Sequence, residues 1–270
     1  MSEYIDGLVS IVTPNYNCQK YIAETIESVL KQTYTNWEML IVDDCSTDGS
    51  YETALEYSKK DTRIKVFRNE KNSGAAISRN KAIEESEGEY LAFLDSDDLW
   101  LPEKLEKQIK FMQDNGCDFS FTKYEHIDEQ NHSLLKVAKV IKRLTYKRMM
   151  LHCFPGCLTV IYNQKKIGKI YTPNIKKNND SALFYPVLRV TSNAMGLDEC
   201  LGLYRIRKNS ISRNKIKMIQ PYVYVLHVFE GHSLLISWIC VCSHFIIKVF
   251  FKYKKITLGE SQCGKCNFSN

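Results

Sequence analysis

The chain lacks three features that would each have decided its class. It has no run of about 20 apolar residues, so no segment reads as a transmembrane helix. It has no Gly-x-x-x-x-Gly-Lys-Ser/Thr loop, which removes the P-loop way of cradling a phosphate. Its 10 cysteines include one Cys-x-x-Cys, Cys263 and Cys266, with no second pair or nearby His to complete a tetrahedral zinc site. No apolar stretch follows Met1, so a reducing cytosolic setting is expected rather than a disulfide-built secreted one. What is present is a core-forming composition: 270 residues, 44% hydrophobic and 11% aromatic against 25% charged. That excludes a disordered chain and fits one large domain, or one domain with an appendage. Lys and Arg number 37 against 31 Asp and Glu, a net charge of +6. The excess suits an anionic ligand or surface but selects no partner by itself.

Strand and helix patterns alternate through the first hundred residues. Leu8 to Val12 is a short β-branched run closed by Pro14, and Tyr21 to Leu30 carries apolar residues at helical spacing. Trp37 to Val42 is again a strand, stopped at Asp43-Asp44. A helix over Tyr51 to Lys59, a strand at Ile64 to Phe67, a helix from about Ala75 to Glu85 and a strand at Tyr90 to Leu94 repeat the unit. Such alternation predicts a largely parallel sheet. Beyond Pro102 the pattern predicts a helix to Asn115 and strands at Phe119 to Tyr124, Thr159 to Tyr162 and Leu201 to Ile206, adding antiparallel edge strands. Asn179 to Arg189 reads as an imperfect helix that Pro186 should break or kink.

In open sheets of this kind ligands bind beyond the carboxyl ends of the strands. Those ends are polar here: Thr13 to Asn17, Asp43-Asp44, Arg68-Asn69, and Asp95-Ser96-Asp97-Asp98. Clustered carboxylates repel and raise one another's pKa, so the crevice needs a cation, either a metal or an Arg. Alternating aspartates at a strand end can share Mg²⁺ or Mn²⁺ with substrate phosphates. A lone Asp-x-Asp is also common as a solvated turn or helix cap.

Five motifs in order carry a family resemblance: Val9 to Asn17, Ser28 to Tyr34, Ile41 to Asp48, Asn72 to Asn80, and Gly88 to Asp98. In order and spacing the chain resembles family 2 glycosyltransferases from about Leu8 to Ser212. The resemblance implies the GT-A fold, an α/β Rossmann-like nucleotide-binding sheet in residues 1–100, an acceptor half in about 101–212, and a C-terminal amphipathic helical tail in 213–270. It also implies sugar transfer with inversion, and since the Gln-x-x-Arg-Trp signature of processive synthases is absent, a single addition. By the resemblance, Pro14 and Tyr16 line the base and ribose pocket and Asp44 bonds the base. Asp95, Ser96 and Asp97 serve the ribose and the diphosphate, with Asp97 on Mn²⁺ or Mg²⁺. Arg79 pairs either with phosphate or with the crevice aspartates, or stands as a structural ion pair. Arg205, in the basic segment after the last strand, is expected to close over the diphosphate.

Inversion needs a base for the acceptor hydroxyl. The resemblance gives that role to Asp180, the second position of a usually acidic pair whose first position is Asn179 here. Asp is also a favoured helix cap, so capping is the plainer alternative. The expected donor is a nucleotide sugar, a UDP-sugar by the resemblance, and the expected acceptor a saccharide or lipid-linked saccharide for a cell-surface polysaccharide. No nucleic acid is among the expected partners; a homo-oligomer is. Leu234 to Ile247 is apolar without Asp, Glu, Lys or Arg and is followed by Lys248, Lys252, Lys254 and Lys255. It suits a helix lying in a membrane interface, placing the enzyme at the inner face of the cytoplasmic membrane, or a helix packed on protein. Asn179 and Pro186 also motivate a rival reading, a scaffold subunit that keeps the fold without catalysis.

Overall fold

The computed structural model describes residues 4–151, 155–175, 177–208, 219–250 and 253–262. The Cys263 and Cys266 pair therefore lies outside the described residues. The first half runs β1 (Ile5–Asn15), α1 (Ile22–Leu30), β2 (Trp37–Asp43), α2 (Ser50–Lys60), β3 (Ile64–Arg68), α3 (Ala75–Glu84) and β4 (Gly88–Phe93). It continues through β5 (Leu99–Trp100), α4 (Lys104–Asp114), β6 (Phe119–Ile127), β7 (Ser133–Ala138), β8 (Arg143–Leu144) and α5 (Tyr146–Leu151). Then come β9 (Ile161–Asn163), α6 (Gln164–Ile167), α7 (Asn179–Val190), β10 (Ala194–Arg205), α8 (Ile219–Tyr224), α9 (Leu234–Phe250) and β11 (Tyr253–Lys255).

These strands form one mixed sheet in the order β11-β7-β6-β9-β4-β1-β2-β3, with β10 also beside β6 and carrying β5 and β8. The β1 to β4 strands pair in parallel, as the alternation predicts, and β9 joins β4 and β6 antiparallel. Alternate residues of the central strands enter two cores. Val12, Leu40, Val42, Leu91 and Phe93 face the side covered by α3 and α7, whereas Val9, Ile11, Met39, Ile41 and Ala92 face α1 and α4. A strand buried on both faces reads as a near-continuous apolar run, broken here only where Ser10 Oγ of β1 donates to Glu38 Oε1 of β2 at 2.6 Å. Each such side chain contributes about 1.5–3 kcal/mol when buried. At Gly88 an added Cβ would sit 2.4 Å from the Leu8 carbonyl oxygen, so the close approach of β4 to β1 requires glycine.

Register brings the functional ends level. Asn15 pairs with Asp43, Asp43 with Arg68, and Val12 with Phe93, so the loops after β1, β2, β3 and β4 open on one rim. The ring of Phe93 packs edge-on against Phe184 at 5.7 Å, and Phe119 does the same at 5.7 Å, fixing α7 against the strand that leads to Asp95. Pro186 does not interrupt α7, which runs from Asn179 to Val190. Burial of Leu183, Phe184, Val187 and Leu188 around it offsets the missing backbone donor. The strand expected at Leu201 to Ile206 starts earlier, at Ala194, because Ala194 to Leu197 also pair with β6, ahead of an irregular stretch at Asp198 and Glu199 where the register shifts. Thr159 lies in a single 3₁₀ turn, and the strand there begins at Ile161.

Lys104, at the start of α4, is fully buried, and its Nζ donates to Gln108 Oε1 at 2.7 Å and lies 4.4 Å over the Trp100 ring. It forms no ion pair among the described residues, and burial pushes its pKa well below the ordinary lysine value. Burial favours the neutral amine, so stability rises with pH between the folded and the unfolded pKa of this lysine. Lys104→Met is expected to raise the thermal unfolding midpoint at pH 7 and to flatten its rise toward pH 9. An unchanged midpoint and slope would contradict the lowered pKa.

Candidate active site

The end of the rim formed by the loops after β1 and β2 is a clamp of short polar side chains. The Asn15 amide donates to Asp43 Oδ1 at 2.8 Å and to Ser50 Oγ at 3.1 Å, tying β1 to β2 and α2. Asn17 adopts the left-handed conformation (φ 47°) and accepts from the Thr47 amide at 2.8 Å, so the loop after β1 is locked to the loop after β2. Pro14 leads out of this clamp, and Tyr16 stands at its mouth 50% exposed, not in the core. Asp44 lies beneath: its Oδ1 accepts from Asn69 Nδ2 and the Ser73 amide, each at 2.8 Å, and its Oδ2 from the Gly74 amide at 2.7 Å. The carboxylate thus also builds the loop before α3, where Gly74 sits at φ +91°, a conformation that glycine takes without strain.

The carboxylates after β4 meet arginines. Arg79 of α3, almost wholly buried, donates through Nη2 to Asp95 Oδ1 at 2.9 Å and through Nη1 to Asn179 Oδ1 at 2.9 Å. Burial alone would favour its neutral form, but Cys157, Asp95 and Asp180 outweigh that and raise its pKa, so the guanidinium stays charged. Asp97 Oδ2 accepts from Arg207 Nε at 2.7 Å. Its carboxyl is nonetheless held above the ordinary value, because burial, together with Asp95, outweighs Arg207 and Arg205. Asp98 is pushed up further by complete burial beside Asp97 and Asp95. Ser96 is buried within the same turn. Cys18 lies against this group, where burial and Asp97 raise its thiol to about 11, so it remains protonated.

Asp180 sits in the first turn of α7, half-buried, and accepts from the Ser181 amide at 2.8 Å. The N-cap is Asn178, in the left-handed region at φ 57°, so Asp180 is not the residue that starts the helix. Asn179, the neutral member of the expected acidic pair, supplies the amide oxygen that Arg79 uses. Neither Asn179 nor Pro186 disturbs the arrangement.

Arg205 is not where a diphosphate could meet it. Its side chain is 0% exposed and is consumed by Glu24 at 2.8 Å, the Asp97 carbonyl at 2.8 Å and Asn131, while its amide donates to Asp98 Oδ1 at 2.9 Å. It braces the turn instead. The residue of that segment that faces the crevice is Arg207, 34% exposed. Alternation along the chain places 205 and 207 on the same side, so the sequence offered no way to choose between them. Cys18 was likewise missed, being a small residue in a loop with no pattern of its own. Pro14, Tyr16, Asp44, Arg79, Asp95, Ser96, Asp97 and Asp180 all border this rim. Among the described residues no three His, Cys, Asp or Glu side chains form a ready-made metal cluster. A divalent cation would have to be held by Asp97 with Asp95 and completed by ligand oxygens.

A nucleotide-binding sheet of this topology, with aspartates after its fourth strand, belongs to the GT-A class of folds. The pattern that defines glycosyl transferase family 2 matches residues 10–167, and the chain belongs to that family. It is therefore a sugar-transferring enzyme. It is 44% identical over 86% of its length to TuaG of Bacillus subtilis, covering 92% of that protein, which is named as a teichuronic acid biosynthesis glycosyltransferase. It is 39% identical over 85% of its length, and 89% of the relative's, to WfgD of Escherichia coli, named as a UDP-Glc:α-D-GlcNAc-diphosphoundecaprenol β-1,3-glucosyltransferase. Among solved structures, S. aureus TarS in complex with UDP superposes with a TM-score of 0.64 at 24% identity, over 82% of this chain and 65% of that one.

Proposed function

We propose that the enzyme moves one sugar from a UDP-sugar to a hydroxyl of a lipid-linked saccharide, with inversion at the anomeric carbon, in building a cell-surface polysaccharide. The observation that carries this reading is the Arg79 bridge. One buried guanidinium joins Asp95, on the donor side, to Asn179, the neighbour of Asp180, on the acceptor side. The names of the WfgD and TuaG relatives support the donor, the lipid-linked acceptor and the polymer class. On this reading residues 1–100 hold the donor, about 101–212 the acceptor, and 213–270 form an accessory tail.

Tyr16 and Pro14 border the base, and Asp44, with three of its roughly four acceptor positions used, keeps one for the imide N–H of uracil. The strand end fits a hard divalent cation, Mn²⁺ or Mg²⁺. Burial, together with Asp95, keeps Asp97 raised despite Arg207 and Arg205, and a divalent ion there would favour its ionised form. Asp97 with Asp95 would hold the ion, which supplies Lewis-acid stabilisation of the leaving diphosphate. Asp180 takes the proton of the acceptor hydroxyl. The hydroxyl oxygen bonds to the anomeric carbon from the opposite face, and the bond to the diphosphate breaks with its electron pair going to UDP. Arg207, which holds Asp97 in the free protein, is placed to follow that charge onto the diphosphate.

Incubation with α-linked UDP-hexoses and GlcNAc-diphosphopolyprenol, followed by NMR of the product, tests the reading. Release of UDP with a β-linked product is expected; an α-linked product would contradict inversion.

A further inference from the structure

Helix α9 exposes an apolar face that a helix of a water-soluble domain would bury. Ser237, Cys240, Val241 and His244 face the protein, with His244 Nε2 3.0 Å from the Met149 carbonyl oxygen and Ser237 Oγ donating to the Ser233 carbonyl at 3.0 Å. The outward face carries Leu235 (72% exposed), Trp238, Ile239, Phe245 and Ile246. A solvated helix presents the opposite pattern, and a contiguous apolar face of this kind marks a docking surface.

Charge around the patch selects the occupant. From Gln130 to Asn179 the sequence has no Asp or Glu, and from Gly231 to Gly259 again none. Helix α5 lies directly against α9, joined by Ser243 Oγ donating to the Leu151 carbonyl at 2.8 Å. Lys142, Arg143, Lys147 and Arg148, on and just before α5, are exposed, and none forms an ion pair among the described residues. An apolar face beside a helix that carries unneutralised cations complements anionic lipid. A second copy of the chain is disfavoured, because a two-fold contact through this face would set the cationic helices against each other. No helix among the described residues is long and apolar enough to cross a membrane. The 17 residues of α9 span about 25 Å, less than the roughly 30 Å hydrocarbon core, so the helix lies along the surface.

We propose that α9, with the cations of α5, docks the protein onto an anionic phospholipid bilayer with the helix lying in the interface. This is independent of the transfer reading, since it needs neither donor nor acceptor. The test is co-sedimentation of the full chain with vesicles of phosphatidylcholine alone or with phosphatidylglycerol added, at low and high salt. Binding to the anionic vesicles, weakened by salt, is expected. The pair Leu235→Asp and Ile239→Asp should weaken it about 100-fold, and Lys147→Gln with Arg148→Gln about 30-fold. Both pairs alter exposed side chains, so thermal unfolding and UDP affinity should be unchanged. Failure to bind either vesicle, binding that ignores lipid charge, or a concentration-dependent dimer that buries α9 and persists with lipid would overturn the proposal.

Discussion

Asp180→Asn should abolish sugar transfer while leaving UDP affinity unchanged. The amide has the same shape and can still accept from the Ser181 amide, but it cannot take the acceptor proton. General bases of this kind contribute roughly 10²–10⁴ in rate, so kcat should fall by about that factor. The N-cap position is Asn178 and not Asp180, so stability should change by no more than the about 0.3–1 kcal/mol that an acidic group contributes near a helix N-terminus. Steady-state turnover and a binding titration on the same variant separate the two effects. Normal turnover would remove the base assignment, and a joint loss of UDP binding would mean that Asp180 acts on the donor.

Asp97→Ala carries the second large effect. Removing the carboxylate that would hold the divalent ion should weaken metal-dependent UDP binding by about 100-fold or more, since even partners of a metal ligand account for about 10–100-fold. Metal-independent binding should change far less. Stability gives an internal control through its sign. The folded pKa of Asp97 is raised, so the native state binds the proton more tightly than the unfolded chain, and ionised Asp97 opposes folding once pH exceeds the unfolded value of 3.8. The variant should therefore unfold at no lower temperature than the parent at neutral pH, and its stability should fall less as pH rises above that value. A lower midpoint together with unchanged UDP binding would mark Asp97 as a brace for Arg207 and nothing more.

Much of this was legible in the sequence because buried parallel strands are apolar along most of their length. That rule located β1, β2 and β4, and their polar ends then delivered Asp44, Asp95 and Asp97. Arg79 was readable as a partner for the aspartates, although only packing could show it shared between Asp95 and Asn179. The misplacement of Arg205 has a different origin. Residues 205 and 207 have the same parity in an extended segment, and which one is buried depends on Glu24 and Asn131, which lie far away in sequence. The length of β10 was hidden by its irregular polar stretch at Asp198 and Glu199, and Pro186 suggested a break that the packing of α7 overrides. An apolar run at Leu234 to Ile247 could be seen without structure. That its apolar side faces outward, while Ser237 and His244 face the protein, could not.

The most direct test of the account is a calorimetric titration of the full chain with UDP, with GDP as control, in the presence and absence of Mn²⁺. The account predicts that UDP binds tightly with Mn²⁺, weakly without it, and in preference to GDP. Equal binding with and without the metal, or no binding of either nucleotide, would contradict it.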